Sequence, residues 1–179
     1  YNAGSAIPGI DKGLRQGDVV KLGRAVELEV IETPGHTPIH ISMLGRGDEP
    51  HLLCGDTIFN AGVGHCYSGD PNVLYATFRD KIAKLSDATR IYPGHDYIAN
   101  NLKFTLDREP DNADAKALLA EVEGQDPAHA LVTTLGQERK VNTFMRLDNP
   151  SVIAGVKEKF PNLPDTPSEE DVFLSLRKL

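Results

Sequence analysis

The chain has 179 residues, which fits one large domain or one domain with an appendage. Its 19 basic and 26 acidic residues give a net charge of −7, which argues against nucleic acid as a partner and requires any anionic substrate to find local Lys or Arg. No apolar run reaches the ~20 residues that span a bilayer, no secretory leader pattern is visible, and two cysteines make no disulfide framework, so the expected setting is cytoplasmic.

Residues 1–17 carry Gly4, Gly9 and Gly13 and read as loops with at most one short strand. Alternation predicts strands over 19–22 and 26–31, the second stopped by Pro34-Gly35. His40 to Leu44 is a further apolar run, turned by Gly45-Arg46-Gly47-Asp48, and Leu52–Cys54 is the next strand. Residues 60–70 read as a glycine-rich loop. Pro71 suits the first turn of a helix, and Leu74, Phe78, Ile82 and Leu85 recur at helical spacing over 72–85. A short strand at Thr89–Tyr92 ends at Pro93-Gly94.

After His95 the strand signals vanish. Helices are expected over 97–107, broken by Glu109-Pro110, and over 112–123, ending at Gly124. Asn149-Pro150 caps and opens another that runs to Phe160, and Ser168 with Asp171 forms a capping box for a last helix through Leu176. The chain is therefore mixed up to about residue 97 and helical beyond it.

Three predicted strand ends share a texture: Thr33-Pro34-Gly35-His36-Thr37, Cys54-Gly55-Asp56-Thr57 and Tyr92-Pro93-Gly94-His95-Asp96. Pro-Gly ends a strand sharply and lets backbone approach a crowded site. Imidazole nitrogen and carboxylate oxygen are donors for zinc or iron, and an acid between two metals bridges them with one oxygen to each. The plain alternative is a turn histidine, or an aspartate that serves as an N-cap for the next segment. The repetition of the pattern favours convergence on metal. His40 reads as structural within a strand pattern, and His51 and His129 as exposed. Cys54 reads as buried and inert, whereas Cys66 lies in the glycine-rich loop.

These three segments resemble the second half of a metallo-β-lactamase-fold hydrolase. Asn101-Leu102-Lys103-Phe104, Arg108-Glu109-Pro110-Asp111-Asn112, Thr133-Thr134-Leu135-Gly136-Gln137-Glu138 and Asn142-Thr143-Phe144-Met145-Arg146 resemble the hydroxyacylglutathione hydrolases, or glyoxalase II. The resemblance covers nearly the whole chain. It implies an α+β architecture: the second half of an αββα sandwich over residues 1–97, then a mostly helical glutathione-binding domain over 98–179.

It also implies two divalent metal ions, zinc first with iron or manganese as alternatives. His36 would hold one, His95 the other, and Asp56 would bridge them around the hydroxide that attacks an S-acylglutathione thioester such as S-lactoylglutathione. His65, Tyr67, Tyr97 and Arg177 fall at the family's substrate positions. His65 stands where the family has a fixed cation, Ile39 replaces a glycine and Thr143 replaces a proline. The family's His-x-His-x-Asp-His motif does not occur in the sequence. The expectation is therefore a C-terminal portion that exposes one sheet face and associates with an N-terminal segment or another chain. Two alternatives are an iron-dependent glutathione persulfide dioxygenase and an inactive fragment.

Overall fold

The computed structural model describes residues 8–179. Its strands are β1 (Val19–Leu22), β2 (Val26–Glu32), β3 (Ile41–Gly45), β4 (His51–Gly55), β5 (Ile58–Phe59), β6 (Gly62–Val63) and β7 (Arg90–Pro93). Five of them form one sheet in the order β1-β2-β3-β4-β7. The first four pair antiparallel, and β7 joins β4 in parallel after the crossover through α1 (Pro71–Asp80). That crossover sets Asp56 and His95, which follow β4 and β7, at the same end of the sheet.

The register divides the sheet into two unlike faces. Leu52 partners Leu44 on one side and Ile91 on the other, and all three are at most 2% exposed. Met43, Leu53 and Tyr92 share the opposite face, where Leu53 and Tyr92 are 39% and 36% exposed. One face is thus a finished core surface, and the other keeps apolar side chains in water.

The helices after the sheet are α2 (Ile98–Arg108), α3 (Ala113–Val122), α4 (Leu135–Val141), α5 (Pro150–Lys159) and α6 (Glu169–Leu176). The N-termini expected at Asn149 and Ser168 are present, and each side chain accepts a backbone N–H of the first turn. Leu135, Phe144, Val152, Phe173 and Leu176 join Leu44, Leu52, Cys54 and Ile91 in one core cluster. Phe173 is fully buried among Tyr75, Phe78 and Phe144, with ring centroids 5.3–5.6 Å away. Among the described residues no helix is long and apolar enough to cross a membrane.

Several elements differ from expectation. The helix expected over 72–85 stops at Asp80, and a 3₁₀ turn at Ile82–Lys84 succeeds it. The Lys81 ammonium donates to the Glu32 carbonyl at the end of β2, and the tighter turn carries Ile82 wholly into the core. The glycine-rich loop contains β6, which pairs antiparallel with β5 just before it. Residues 8–18 hold no named strand, and the short strand considered for 1–17 otherwise falls outside the described residues. The stretch between Gly124 and Asn149 carries α4, opened by a Thr134–Gln137 capping box too short to show a clear apolar period. His51 is half-buried rather than exposed, whereas His129 is exposed.

Phe173→Ala is expected to cost about 3–5 kcal/mol of unfolding free energy, because three rings would lose their common partner. Urea titration followed by circular dichroism measures it.

Candidate metal centre

Each of the three sequence-predicted ligands sits on a turn that its own surroundings enforce. After β2, Gly35 takes φ +136°, and a Cβ there would stand 2.4 Å from the Leu74 Cα atom. Asp70 N–H donates to the Gly35 carbonyl at 3.1 Å, and the Thr77 hydroxyl donates to the Pro34 carbonyl at 2.6 Å, so α1 grips the turn that presents His36. After β4, Gly55 takes φ +50° and delivers Asp56. After β7, Gly94 N–H donates to the Gly55 carbonyl at 2.9 Å, which joins the second and third turns directly. A Cβ at Gly94 would come within 2.5 Å of Asp56 Oδ1.

The turns bring the side chains together. His36 Nε2 lies 3.3 Å and His95 Nε2 3.6 Å from the same atom, Asp56 Oδ2. The expectation from sequence was one carboxylate oxygen for each metal; here both imidazoles approach one oxygen, and the other turns to Gly94. Side-chain exposure is 20% for His36, 26% for Asp56 and 53% for His95, so the group is open on the His95 side.

The donor chemistry is suited to a cation. His36 Nδ1 meets the His65 carbonyl, which only accepts, so the ring's proton belongs on Nδ1. In the neutral ring Nε2 then carries a lone pair, and it faces a carboxylate oxygen that also only accepts. Such a pair at 3.3 Å accommodates a shared positive centre, a proton or a metal ion, between the two atoms. Among the described residues no group of three or more His, Cys, Asp and Glu closes around a single point. His36, Asp56 and His95 therefore fit a metal as a partial donor set rather than as a complete cage.

The predicted substrate residues divide into two places. Arg177, at the end of α6, donates from Nη2 to His65 Nδ1 at 2.7 Å, and its guanidinium lies over Phe144, 5.6 Å from the ring centroid. Tyr67 stacks on His65 at 5.1 Å and is 88% exposed. His65, Cys66, Tyr67, Asn72, Arg177 and Lys178 line a cleft of about 420 Å³. Burial, Arg177 and His36 all push the His65 pKa below its ordinary value, which keeps the ring neutral and able to accept from Arg177. Tyr97 is elsewhere: it stacks on His95 at 5.2 Å and meets Phe59 edge-on at 5.2 Å.

Both cysteines are free. Cys54 is fully buried, and burial pushes its thiol up to about 12, as suits an inert core residue. Cys66 is half-buried, and burial raises its pKa as well.

Residues 5–95 match the metallo-beta-lactamase superfamily, and residues 96–179 match the hydroxyacylglutathione hydrolase C-terminus. A hydroxyacylglutathione hydrolase of Nitrosococcus oceani is 57% identical over the whole chain, which covers 68% of that protein. One from a Polaromonas species is 55% identical with the same coverage. The chain belongs to the hydroxyacylglutathione hydrolase family. The fold is also that of the ETHE1 crystal structure from Myxococcus xanthus, at TM-score 0.53 and 24% identity over 92% of this chain and 59% of that one. The family and the superfamily together imply divalent metal ions.

Sequence reasoning missed the residue that fastens this hydrolase's helical part to the centre. Glu138, on α4, is fully buried. Its carboxyl accepts from Thr133 Oγ1 at 2.6 Å, from Asn142 Nδ2 at 2.9 Å and from Ala61 N–H at 2.8 Å. Asn142 Nδ2 also donates to the Gly62 carbonyl, and Asn101 Nδ2 to the Asn60 carbonyl. Ala61 takes φ +57°, the one non-glycine positive φ among the described residues, and these bonds hold it there. Further along the loop, Gly64 has room for no Cβ: one would meet the Asp56 carbonyl at 1.8 Å and His36 Nδ1 at 3.3 Å. The loop is thus clamped by helical residues on one side and touches two candidate ligands on the other. The sequence cue was that Thr133, Glu138 and Asn142 all fall in family-like segments, which gave the carboxyl no role.

No cation pairs with Glu138 in this network, and burial pushes its pKa up to about 7, against the three hydrogen bonds that lower it. A carboxyl whose folded-state pKa is raised stabilises the fold fully below its unfolded value of about 4.5, and that contribution is lost as pH rises through about 7. The stability of wild type relative to Glu138→Gln is therefore expected to fall by about 2–4 kcal/mol between pH 4.5 and 8. Paired urea titrations across that range measure it, and a pH-independent difference would contradict the assignment.

Proposed function

We propose that this chain carries the acid and both imidazoles of a thioester hydrolase that converts S-acylglutathione, S-lactoylglutathione foremost, to a carboxylic acid and glutathione. The observation that carries the reading is the meeting of His36 Nε2 and His95 Nε2 at Asp56 Oδ2, beside a cleft that ends in Arg177. His36 and His95 would each hold one of two divalent ions with Asp56 between them, zinc first and iron or manganese next on donor type. Bound there, the metal supplies a Lewis acid and a nucleophile from water at neutral pH.

The protein's own groups supply the rest. The His65 carbonyl fixes the ring direction of His36, and Gly64 and Gly94 close the backbone around Asp56 so that its carboxylate is held in one orientation. Arg177 gives the cleft a fixed positive charge for a glutathione carboxylate, supported by neutral His65, while exposed Tyr67 and Tyr97 offer hydroxyl groups. In the reaction a water oxygen bonds to the acyl carbon and the carbon–sulfur bond breaks. The departing thiol has a pKa of about 8.5, so the site needs no strong general acid. Residues 1–97 would contribute the centre, and 98–179 the helical part that carries Arg177. The proposed setting is cytoplasmic, with a small-molecule substrate and neither nucleic acid nor membrane as partner.

A second reading shares the donors. Two histidines and one carboxylate also suit a single iron of a dioxygenase, here acting on glutathione persulfide. The match of residues 96–179 to the hydroxyacylglutathione hydrolase C-terminus favours the hydrolase.

Hydrolysis of S-lactoylglutathione by the protein that contains this chain is expected to fall at least about 10³-fold in Asp56→Ala, since both metal positions lose their common ligand. Retained activity would remove the bridging role. Metal analysis is expected to find about two ions per protein; one iron with oxygen uptake on glutathione persulfide would select the dioxygenase. The 179-residue chain by itself is expected to bind zinc weakly in equilibrium dialysis, because three side chains do not complete two four-coordinate positions.

A further inference from the structure

His40 belongs to the loop before β3, and its ring is drawn into the space between three strand ends. Its Nε2 lies 3.3 Å from the Asp56 amide nitrogen. Its Nδ1 lies 2.9 Å from Thr33 Oγ1 and 2.9 Å from Thr57 Oγ1. Thr33 comes directly after β2, Thr57 directly after Asp56, and the Thr33 hydroxyl also meets Ser42 Oγ of β3 at 2.8 Å. The ring stands edge-on to His36, with centroids 6.0 Å apart.

The hydrogen-bond partners fix the state of the ring. A backbone N–H only donates, so His40 Nε2 accepts from Asp56 and carries no proton. The ring proton is then on Nδ1, which points at two hydroxyl oxygens. The Thr57 hydroxyl donates to the Thr33 carbonyl at 3.4 Å, which leaves its oxygen free to accept from Nδ1. Among the described residues the Asp56 N–H has His40 Nε2 as its acceptor and no backbone partner. Gly55 completes the fit, because a Cβ there would stand 2.8 Å from His40 Nε2.

We propose that His40 is a positioning residue for Asp56: its neutral, Nδ1-protonated ring accepts the Asp56 amide and so holds the carboxylate between His36 and His95. This rests on the reading of Asp56 as a ligand, but the hydrogen bond is testable without metal or substrate. The ring touches neither the cleft nor the far face of Asp56, so it acts through the backbone and not on the reacting atoms.

The first test is the nitrogen resonances of His40 in the metal-free protein at neutral pH. A protonated Nδ1 with a bare Nε2 is expected; a protonated Nε2 would overturn the proposal even if no variant folds. The second compares two amide side chains of similar polarity. In His40→Gln the side-chain oxygen reaches the Nε2 position, whereas in His40→Asn it stops at the Nδ1 position. Exchange of the Asp56 amide is expected to accelerate about tenfold in His40→Asn, the loss of one hydrogen bond, and to stay near wild type in His40→Gln. Zinc affinity of the intact protein is expected to fall about 10–100-fold in His40→Asn and to recover in His40→Gln. Equal behaviour of the two variants, with equal melting temperatures, would overturn the positioning role. Correct amide exchange without thioester hydrolysis would leave the His40 bond standing and remove the proposed activity instead.

Discussion

The organisation of this chain depends on two imidazoles being turned on one carboxylate oxygen. His36 and His95 meet Asp56 Oδ2 at 3.3 and 3.6 Å, with the His36 proton engaged on the other side of its ring. Such an arrangement is repulsive between lone pairs unless a positive centre occupies the space. The fold maintains it by placing every contributor at a strand end: Gly35, Gly55 and Gly94 occur where a side chain would collide with a helix, with His40 or with Asp56 itself. Close backbone approach, more than side-chain packing, positions the centre.

The second constraint is the sharing of one core between sheet and helices. Leu52 and Ile91 of the sheet lie in the same cluster as Phe173 and Leu176 of the last helix, so the segment that carries Arg177 is held relative to the strands by apolar burial. A polar link runs beside that core. Glu138 and Asn142 reach from the helical part to the backbone of residues 61 and 62, and that loop continues to Gly64 and His65 against His36. A buried carboxyl with no cationic partner costs stability. Its three donors explain why it is tolerated, and the positive φ of Ala61 shows what it holds in place.

Much of this was legible in order along the chain. The alternation in Val26–Glu32, the Asn149-Pro150 start and the Ser168–Asp171 box all form as their local chemistry requires, because alternation, caps and proline act within a few residues of themselves. The helix expected to reach residue 85 stops at Asp80 because Lys81 answers a carbonyl on β2, a partner 49 positions away. His40 read as a structural residue, and no local pattern distinguishes that from a ring that holds the Asp56 amide. Arg177 and His65 are 112 positions apart, yet they form one hydrogen-bonded pair at the cleft.

The sequence by itself determined the donor types and the turns that carry them: Pro-Gly-His twice, Gly-Asp once, each at the end of an apolar run. It also determined the family, through segments spread from Thr33 to Arg146. Only the tertiary structure decided that both imidazoles reach the same oxygen, that His40 closes the Asp56 amide from behind, and that Glu138 belongs to the surroundings of the centre. The physical reason is one of range. Backbone turns and helix caps are fixed by neighbours in sequence, whereas the direction of a ring or carboxylate is fixed by hydrogen bonds from segments that meet only when β2, β4, β7 and the helices fold against one another.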